Sequence, residues 1–133
     1  MFRKIHHIAF VVRDIEAAMD RFEANYEMKL ESRGEVTGQY SMDVALYYAG
    51  DNIVELIEPT SESGWTYEYL QENGEGWFHI AFEVDDIRKR MGQLRERGIR
   101  FVDDEPQDGY DWEVATLDDR DTIVPMQIVE DSD

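Results

Sequence analysis

The segment His7-Ile8-Ala9-Phe10-Val11-Val12-Arg13-Asp14-Ile15 recurs 72 residues later as His79-Ile80-Ala81-Phe82-Glu83-Val84-Asp85-Asp86-Ile87, and the match continues to Met19 and Met91. Such self-similarity reads as two supersecondary units sharing one core. The same offset carries Val54-Glu55-Leu56-Ile57-Glu58 onto Met126-Gln127-Ile128-Val129-Glu130. Four polar side chains, His7, Glu55, His79 and Gln127, therefore fall at matched points of the two halves, and a pseudo-twofold chain could bring them to one cation. With 133 residues the chain makes one domain, expected as a first module over residues 1–60, a linking helix over about 61–75 and a second module over 76–133. Halves of about 65 residues are too small to be trusted to fold alone.

Each half reads as strand, helix, then further strands. Lys4 to Val12 is apolar and rich in β-branched and aromatic residues. Asp14 then precedes Ile15, Met19, Phe22 and Tyr26, which are spaced as one helix face behind an N-cap. Residues 28–33 alternate, Gly34 and Gly38 punctuate, residues 40–48 alternate again, and 53–58 form a last strand that Pro59 stops. In the second half residues 78–84 read as strand, Asp86 as cap, Ile87, Met91 and Leu94 as helix face, and Gly98 as stop; strands are expected near 99–102, 111–117 and 123–130. Trp65, Tyr69 and Leu70 predict the linking helix.

A strand sends alternate side chains to opposite faces. If Val54 and Leu56 face the helices, Glu55 faces the other side, and the same parity applies to Gln127 between Met126 and Ile128. An offset two residues shorter fits Asp43-Val44-Ala45 onto Glu113-Val114-Ala115 better and would pair Glu55 with Pro125. Proline cannot ligate, and a two-residue slip preserves facing, so Gln127 remains the candidate. His6 alternates with His7 and is expected to face the helix layer or solvent.

Two imidazoles, a carboxylate and an amide oxygen suit a borderline divalent ion, Zn, Ni, Co, Mn or Fe, with positions left for water or substrate oxygens. Proton transfer beside a carbonyl also needs a base, and Glu35, between Gly34 and Gly38, is the candidate catalytic residue. Tyr47, Trp77, Tyr110 and Trp112 could line a pocket or belong to the core. The chain has no cysteine, which rules out a disulfide framework, a thiol nucleophile and a Cys-type zinc site.

The formal charge of -18, with 31 acidic against 13 basic residues, opposes binding to nucleic acid or anionic lipid. It resembles the acidic surfaces of proteins from salt-loving cytoplasms, where a Debye length of about 3 Å at about 1 M salt screens self-repulsion. No apolar run is long enough to span a membrane and no leader is apparent, so a cytoplasmic protein is expected, acting on a small molecule and forming a homodimer.

At His7-Ile8-Ala9-Phe10-Val11-Val12, Glu55-Leu56-Ile57-Glu58-Pro59, His79 and Gln127 the chain resembles the vicinal oxygen chelate family, which includes glyoxalase I, methylmalonyl-CoA epimerase, extradiol dioxygenases and the bleomycin resistance proteins. The resemblance implies an α+β fold of two tandem βαβββ modules forming a cupped mixed sheet with helices outside. It also implies a metal held by a histidine opening the first strand and an acid or amide on the last strand of each module. The stretch from Tyr69 through Asn73-Gly74-Glu75-Gly76-Trp77-Phe78-His79 to Ile87 looks most like the epimerase branch. That branch is expected to use its last metal ligand as a base, whereas Gln127 cannot accept a proton at neutral pH. The expected activity is that of a metal-dependent isomerase or lyase that moves a proton and stabilises an enediolate on a small acyl thioester or hemithioacetal. The alternatives are a non-haem iron dioxygenase, built on His7, His79 and Glu55, and a metal-free drug-binding module.

Overall fold

The computed structural model describes residues 1–38 and 40–131. Its chain order is β1 (Lys4–Val11), α1 (Ile15–Tyr26), β2 (Leu30–Val36), β3 (Met42–Ala49), β4 (Asn52–Pro59), α2 (Trp65–Asn73), β5 (Gly76–Glu83), α3 (Ile87–Glu96), β6 (Gln107–Asp108), β7 (Glu113–Thr116) and β8 (Met126–Glu130), with a 3-10 turn at Asp119–Asp121. Among the described residues, eight strands of one mixed sheet and three α-helices make the fold α+β, with strand order β2-β3-β4-β1-β5-β8-β7-β6. No helix among the described residues is long and apolar enough to cross a membrane.

The chain divides into two compact units, Ile8–Phe78 and Met1–His7 with His79–Asp133, so the divisions fall inside β1 and β5. In the unit Ile8–Phe78, β3 pairs antiparallel with both β2 and β4. Asp14 caps α1 by accepting from Ala17 N–H at 3.1 Å. Ile15 and Met19 of α1 bury against Ala45, Tyr47 and Leu56, which assigns those strand residues to the helix face of the sheet.

In the other unit, β5 pairs parallel with β8, β8 antiparallel with β7, and β7 antiparallel with β6. Asp86 caps α3 through Lys89 N–H at 3.2 Å, despite a left-handed φ of 42°. Ile87, Met91 and Leu94 pack on Ala115, Leu117 and Ile128.

The internal bonds of the two units repeat. Val12 N–H donates to Ile57 O at 2.8 Å and Val84 N–H to Val129 O at 2.9 Å. Ile15 N–H donates to Glu58 Oε1 at 2.8 Å and Ile87 N–H to Glu130 Oε1 at 2.7 Å, each across 43 residues. These bonds match β4 to β8 so that Glu55 corresponds to Gln127. The pairings Val44 with Ile57 and Val114 with Val129 show that β3 and β7 follow the shorter offset. Both alignments hold, each in its own strand, and two additional residues are taken up before Met126.

The strand expected near 99–102 is a single bridge between Phe101 and Leu117. Val102 N–H donates to Thr116 O and Asp118 N–H to Arg100 O, both at 2.9 Å. Beyond them the backbone N–H and guanidinium of Arg100 turn to Asp121, ending the ladder. The strand expected over 123–130 begins only at Met126, because Asp119–Asp121 forms the 3-10 turn.

Candidate metal centre

His7 and His79 are both buried, at 1% and 3% exposure, and their Nε2 atoms lie 3.1 Å apart. His79 follows the buried Phe78 near the start of β5. Two residues on, Ala81 pairs with Gln127, so period-two alternation gives His79 and Gln127 the same face. Ile128 and Met126 pack on the α3 core, which leaves Gln127 on the opposite face, as parity predicts. Its Nε2 donates to Thr116 Oγ1 across the β7–β8 pair at 3.2 Å, so its Oε1 is the atom suited to a cation.

Glu55, in the middle of β4, is 5% exposed and pairs with Leu46. Its neighbour Leu56 lies in the α1 core, so Glu55 occupies the face away from α1. Burial pushes its carboxyl up to about 8. Burial likewise lowers His79 to about 3. It also lowers His7, with further contributions from the neighbouring His79 and His6. Both imidazoles are thus held neutral, the protonation state in which a ring nitrogen can ligate.

The fit to a divalent ion can be tested on the histidine pair. Bonds of about 2.0–2.1 Å would separate two nitrogens by roughly 2.9 Å at a right angle and roughly 3.4 Å at a tetrahedral angle. The observed 3.1 Å lies between those limits. A neutral pair of imidazoles with a carboxylate and an amide oxygen as further donors is therefore suited to a borderline divalent cation.

Glu35 departs from expectation. It is exposed and pairs with Asp43, which pairs in turn with Glu58. Because Arg33 pairs with Ala45 and Ala45 with Leu56, the odd-numbered residues of this part of β2 share the α1 face. Arg33 donates to Glu16 of α1 at 3.1 Å on that side. Glu35 thus lies on the face opposite Glu55, and the register corrects its assignment as a base beside the ligands. The segment reads from sequence as a loop entry, whereas it is regular strand, and strand parity decides the facing.

His6 also departs from expectation. It is 2% exposed and so does not face solvent. Its Nδ1 lies 2.8 Å from His7 Nδ1 and its Nε2 2.7 Å from Asp131 Oδ2. Trp112 stands against both rings, edge-on to His6 at 4.6 Å and tilted to His7 at 5.0 Å. The alternation of β1 breaks at His6 and His7, which are both buried, as it does at Phe78 and His79 of β5. Of the other aromatic candidates, Tyr47 belongs to the α1 core and donates to Glu23 at 2.8 Å, and Trp77 is partly exposed against Phe10. Tyr110 reaches Trp112 at 6.4 Å. A hollow of about 510 Å³ beside α1 is lined by Phe10, Val12, Phe22 and Leu56, on the helix side of β4, and so lies away from the face of Glu55.

The fold and these residues define a class. Residues 6–116 match the model of the Glyoxalase/Bleomycin resistance protein/Dioxygenase superfamily, and the chain belongs to that family. Among curated relatives, the ethylmalonyl-CoA/methylmalonyl-CoA epimerase of Cereibacter sphaeroides is 26% identical over 103 residues, 77% of this chain and 76% of the relative. A mitochondrial methylmalonyl-CoA epimerase of Dictyostelium discoideum is 25% identical, and there the match spans 80% of this chain but 64% of the relative's length. Among solved structures, a Streptomyces coelicolor methylmalonyl-CoA epimerase variant in complex with 2-nitronate-propionyl-CoA superposes with a TM-score of 0.93 at 26% identity, covering 99% of this chain and 96% of that one.

Proposed function

We propose that the chain is a divalent-metal enzyme that labilises the proton beside the carbonyl of a small acyl thioester, an isomerase of the methylmalonyl-CoA epimerase kind or a lyase of related chemistry. His7, Glu55 and His79 are the donors we assign to the cation, with the amide oxygen of Gln127 as fourth. The observation that carries this reading is the buried pair of neutral imidazoles with Nε2 atoms 3.1 Å apart. The epimerase relatives supply the substrate class. A bound cation would supply positive charge to the oxygen on which charge develops, in a water-poor setting where that charge acts strongly.

The residues around the donors limit the chemistry. On the face of β2–β4 that carries Glu55, the neighbours Val44, Leu46 and Ile57 are apolar. In β8 an amide stands at the fourth donor position, and Val114 and Val129 accompany it on β7 and β8. Such a surface excludes water, so the charge of a bound cation would act strongly on the carbonyl oxygen of the substrate.

The test is to load the protein with Co(II) or Zn(II) and incubate it with methylmalonyl-CoA in deuterium oxide. Deuterium entry at the carbon beside the thioester, dependent on one bound metal per chain and lost in His7→Ala, is the expected result. Stoichiometric metal with no exchange from methylmalonyl-CoA or from a hemithioacetal would exclude the proposed reaction class.

A further inference from the structure

His6 is as buried as the histidine it adjoins and has no place in the proposed ligand set. It stands in a chain of short contacts: Asp131 Oδ2 to His6 Nε2 at 2.7 Å, His6 Nδ1 to His7 Nδ1 at 2.8 Å, and His7 Nε2 to His79 Nε2 at 3.1 Å. With His6 neutral, hydrogen-bonding chemistry fixes the direction of the first two. A carboxylate only accepts, so the proton of the first contact belongs to His6 Nε2. A neutral imidazole protonated there has its lone pair on Nδ1, so in the second contact His7 donates from its own Nδ1. His7 then carries its lone pair on Nε2, the atom that faces the second histidine.

We infer that Asp131 and His6 act as positioning residues that hold His7 in the Nδ1–H tautomer and so present its Nε2 to a divalent cation. This deepens the proposed function and rests on its metal reading. Reversing the relay would set two acceptors, His6 Nε2 and the Asp131 carboxylate, against each other at 2.7 Å, and would place a proton on the nitrogen that must ligate. Trp112 packs against both rings, 4.6 Å from His6 and 5.0 Å from His7. The donor atoms of His6, Glu83 and Asp131 also lie within 4.8 Å of one another. Both nitrogens of His6 are engaged, however, and Glu83 is within 3.8 Å of Arg3 Nε, so the relay explains this cluster without a second cation. Partners outside the first ligand shell commonly set affinity by a factor of about 10 to 100.

Two measurements on the whole chain test the relay. Long-range proton-nitrogen correlation spectra of the metal-free, nitrogen-15-labelled protein report which nitrogen of His7 is protonated, and competition against a chromophoric chelator gives the Zn(II) affinity and stoichiometry. Wild type is expected to show the Nδ1–H form and one ion per chain. His6→Phe and Asp131→Asn are expected to keep one ion per chain, bind it about 10- to 100-fold more weakly, and lose the single tautomer; Asp131→Glu, which keeps the carboxylate, should recover it. A phenyl ring already occupies the repeat-equivalent position, Phe78, and Asp131 is partly exposed, so at least one variant should fold.

An Nε2–H form of His7 in wild type, wild-type affinity in both variants, or two ions per chain would overturn the inference. The tautomer is read without metal. A protein that shows the Nδ1–H form yet binds no ion would therefore refute the metal reading and leave the relay's hydrogen-bond direction standing.

Discussion

Glu130 closes the last strand onto the helix that begins the same module: its Oε1 accepts the N–H of Ile87 at 2.7 Å. That N–H belongs to the first turn of α3, where the helix has no internal partner for it and where negative charge is favoured. Glu58 does the same for Ile15 and α1 at 2.8 Å. The sequence alternation shows each glutamate only as a strand residue on the helix face; the repeated bond shows why an acid stands there.

Glu58→Ala and Glu130→Ala should each destabilise the protein by about 1–2 kcal/mol, the usual cost of losing a helix N-terminal acceptor together with its charge. Urea unfolding curves would measure it. Because the two bonds lie in separate units, the losses should add within about 0.5 kcal/mol. Two substitutions with no effect would mean that water replaces both carboxylates at no cost.

A second expectation concerns protons. Without a cation, Glu55 is protonated at pH 7, since burial raises it to about 8, while His79, lowered to about 3, is neutral. Cation binding requires the ionised carboxylate, so loading at pH 7 should release about one proton per chain, and none from the imidazoles. Affinity should rise about tenfold per pH unit below the Glu55 value and level off above it. Calorimetry in two buffers of different ionisation enthalpy counts the proton, and a count of zero would remove Glu55 from the donor set.

The same shift predicts how metal-free stability varies with pH. The carboxyl is raised from 4.5 to about 8 on folding, so its contribution is fully present below the unfolded value and is lost as pH rises through the folded one. Glu55→Gln removes that loss. The variant should gain up to about 3 kcal/mol at pH 7 in chelator, and nothing at pH 4. Thermal melts at the two pH values test this, and a gain of equal size at both would point to packing instead of ionisation.

The repeat made much of this legible in the sequence. Strong period-two and helical spacing in Lys4 to Glu58 predicts the elements of the first half, whereas the two competing offsets are resolved only by the strand registers. The strand expected over 111–117 is present at Glu113–Thr116, whereas the two-residue strand at Gln107 and the single bridge at Phe101 leave no alternation to detect. Gln127 and Glu55 obeyed parity because their strand neighbours are anchored in helix-facing cores. His6 did not, because its burial depends on Trp112 and Asp131, which lie more than a hundred positions away in the chain. Glu35 was misjudged for a different reason: glycine on either side suggested a loop, whereas Gly34 is an ordinary partner of Val44 in the ladder.

The amide at position 127 gives the last prediction. Gln127 spends its Nε2 on Thr116 Oγ1 at 3.2 Å, so its uncharged Oε1 is the atom left for a cation. Gln127→Glu keeps the length of the side chain and can keep that contact, because the threonine hydroxyl can donate to a carboxylate where it formerly accepted from the amide. The added charge should tighten divalent-cation binding by at least tenfold, and the carboxylate restores a proton acceptor on β8. If the opposed face of the substrate carbon lacks a base in the wild-type protein, the variant should convert deuterium exchange with retained configuration into exchange with racemisation of methylmalonyl-CoA. Chiral analysis of the recovered thioester separates the two. Tighter metal with unchanged stereochemistry would assign Gln127 to the cation alone; unchanged affinity would show that its oxygen does not ligate, leaving the two histidines and Glu55 to hold the ion.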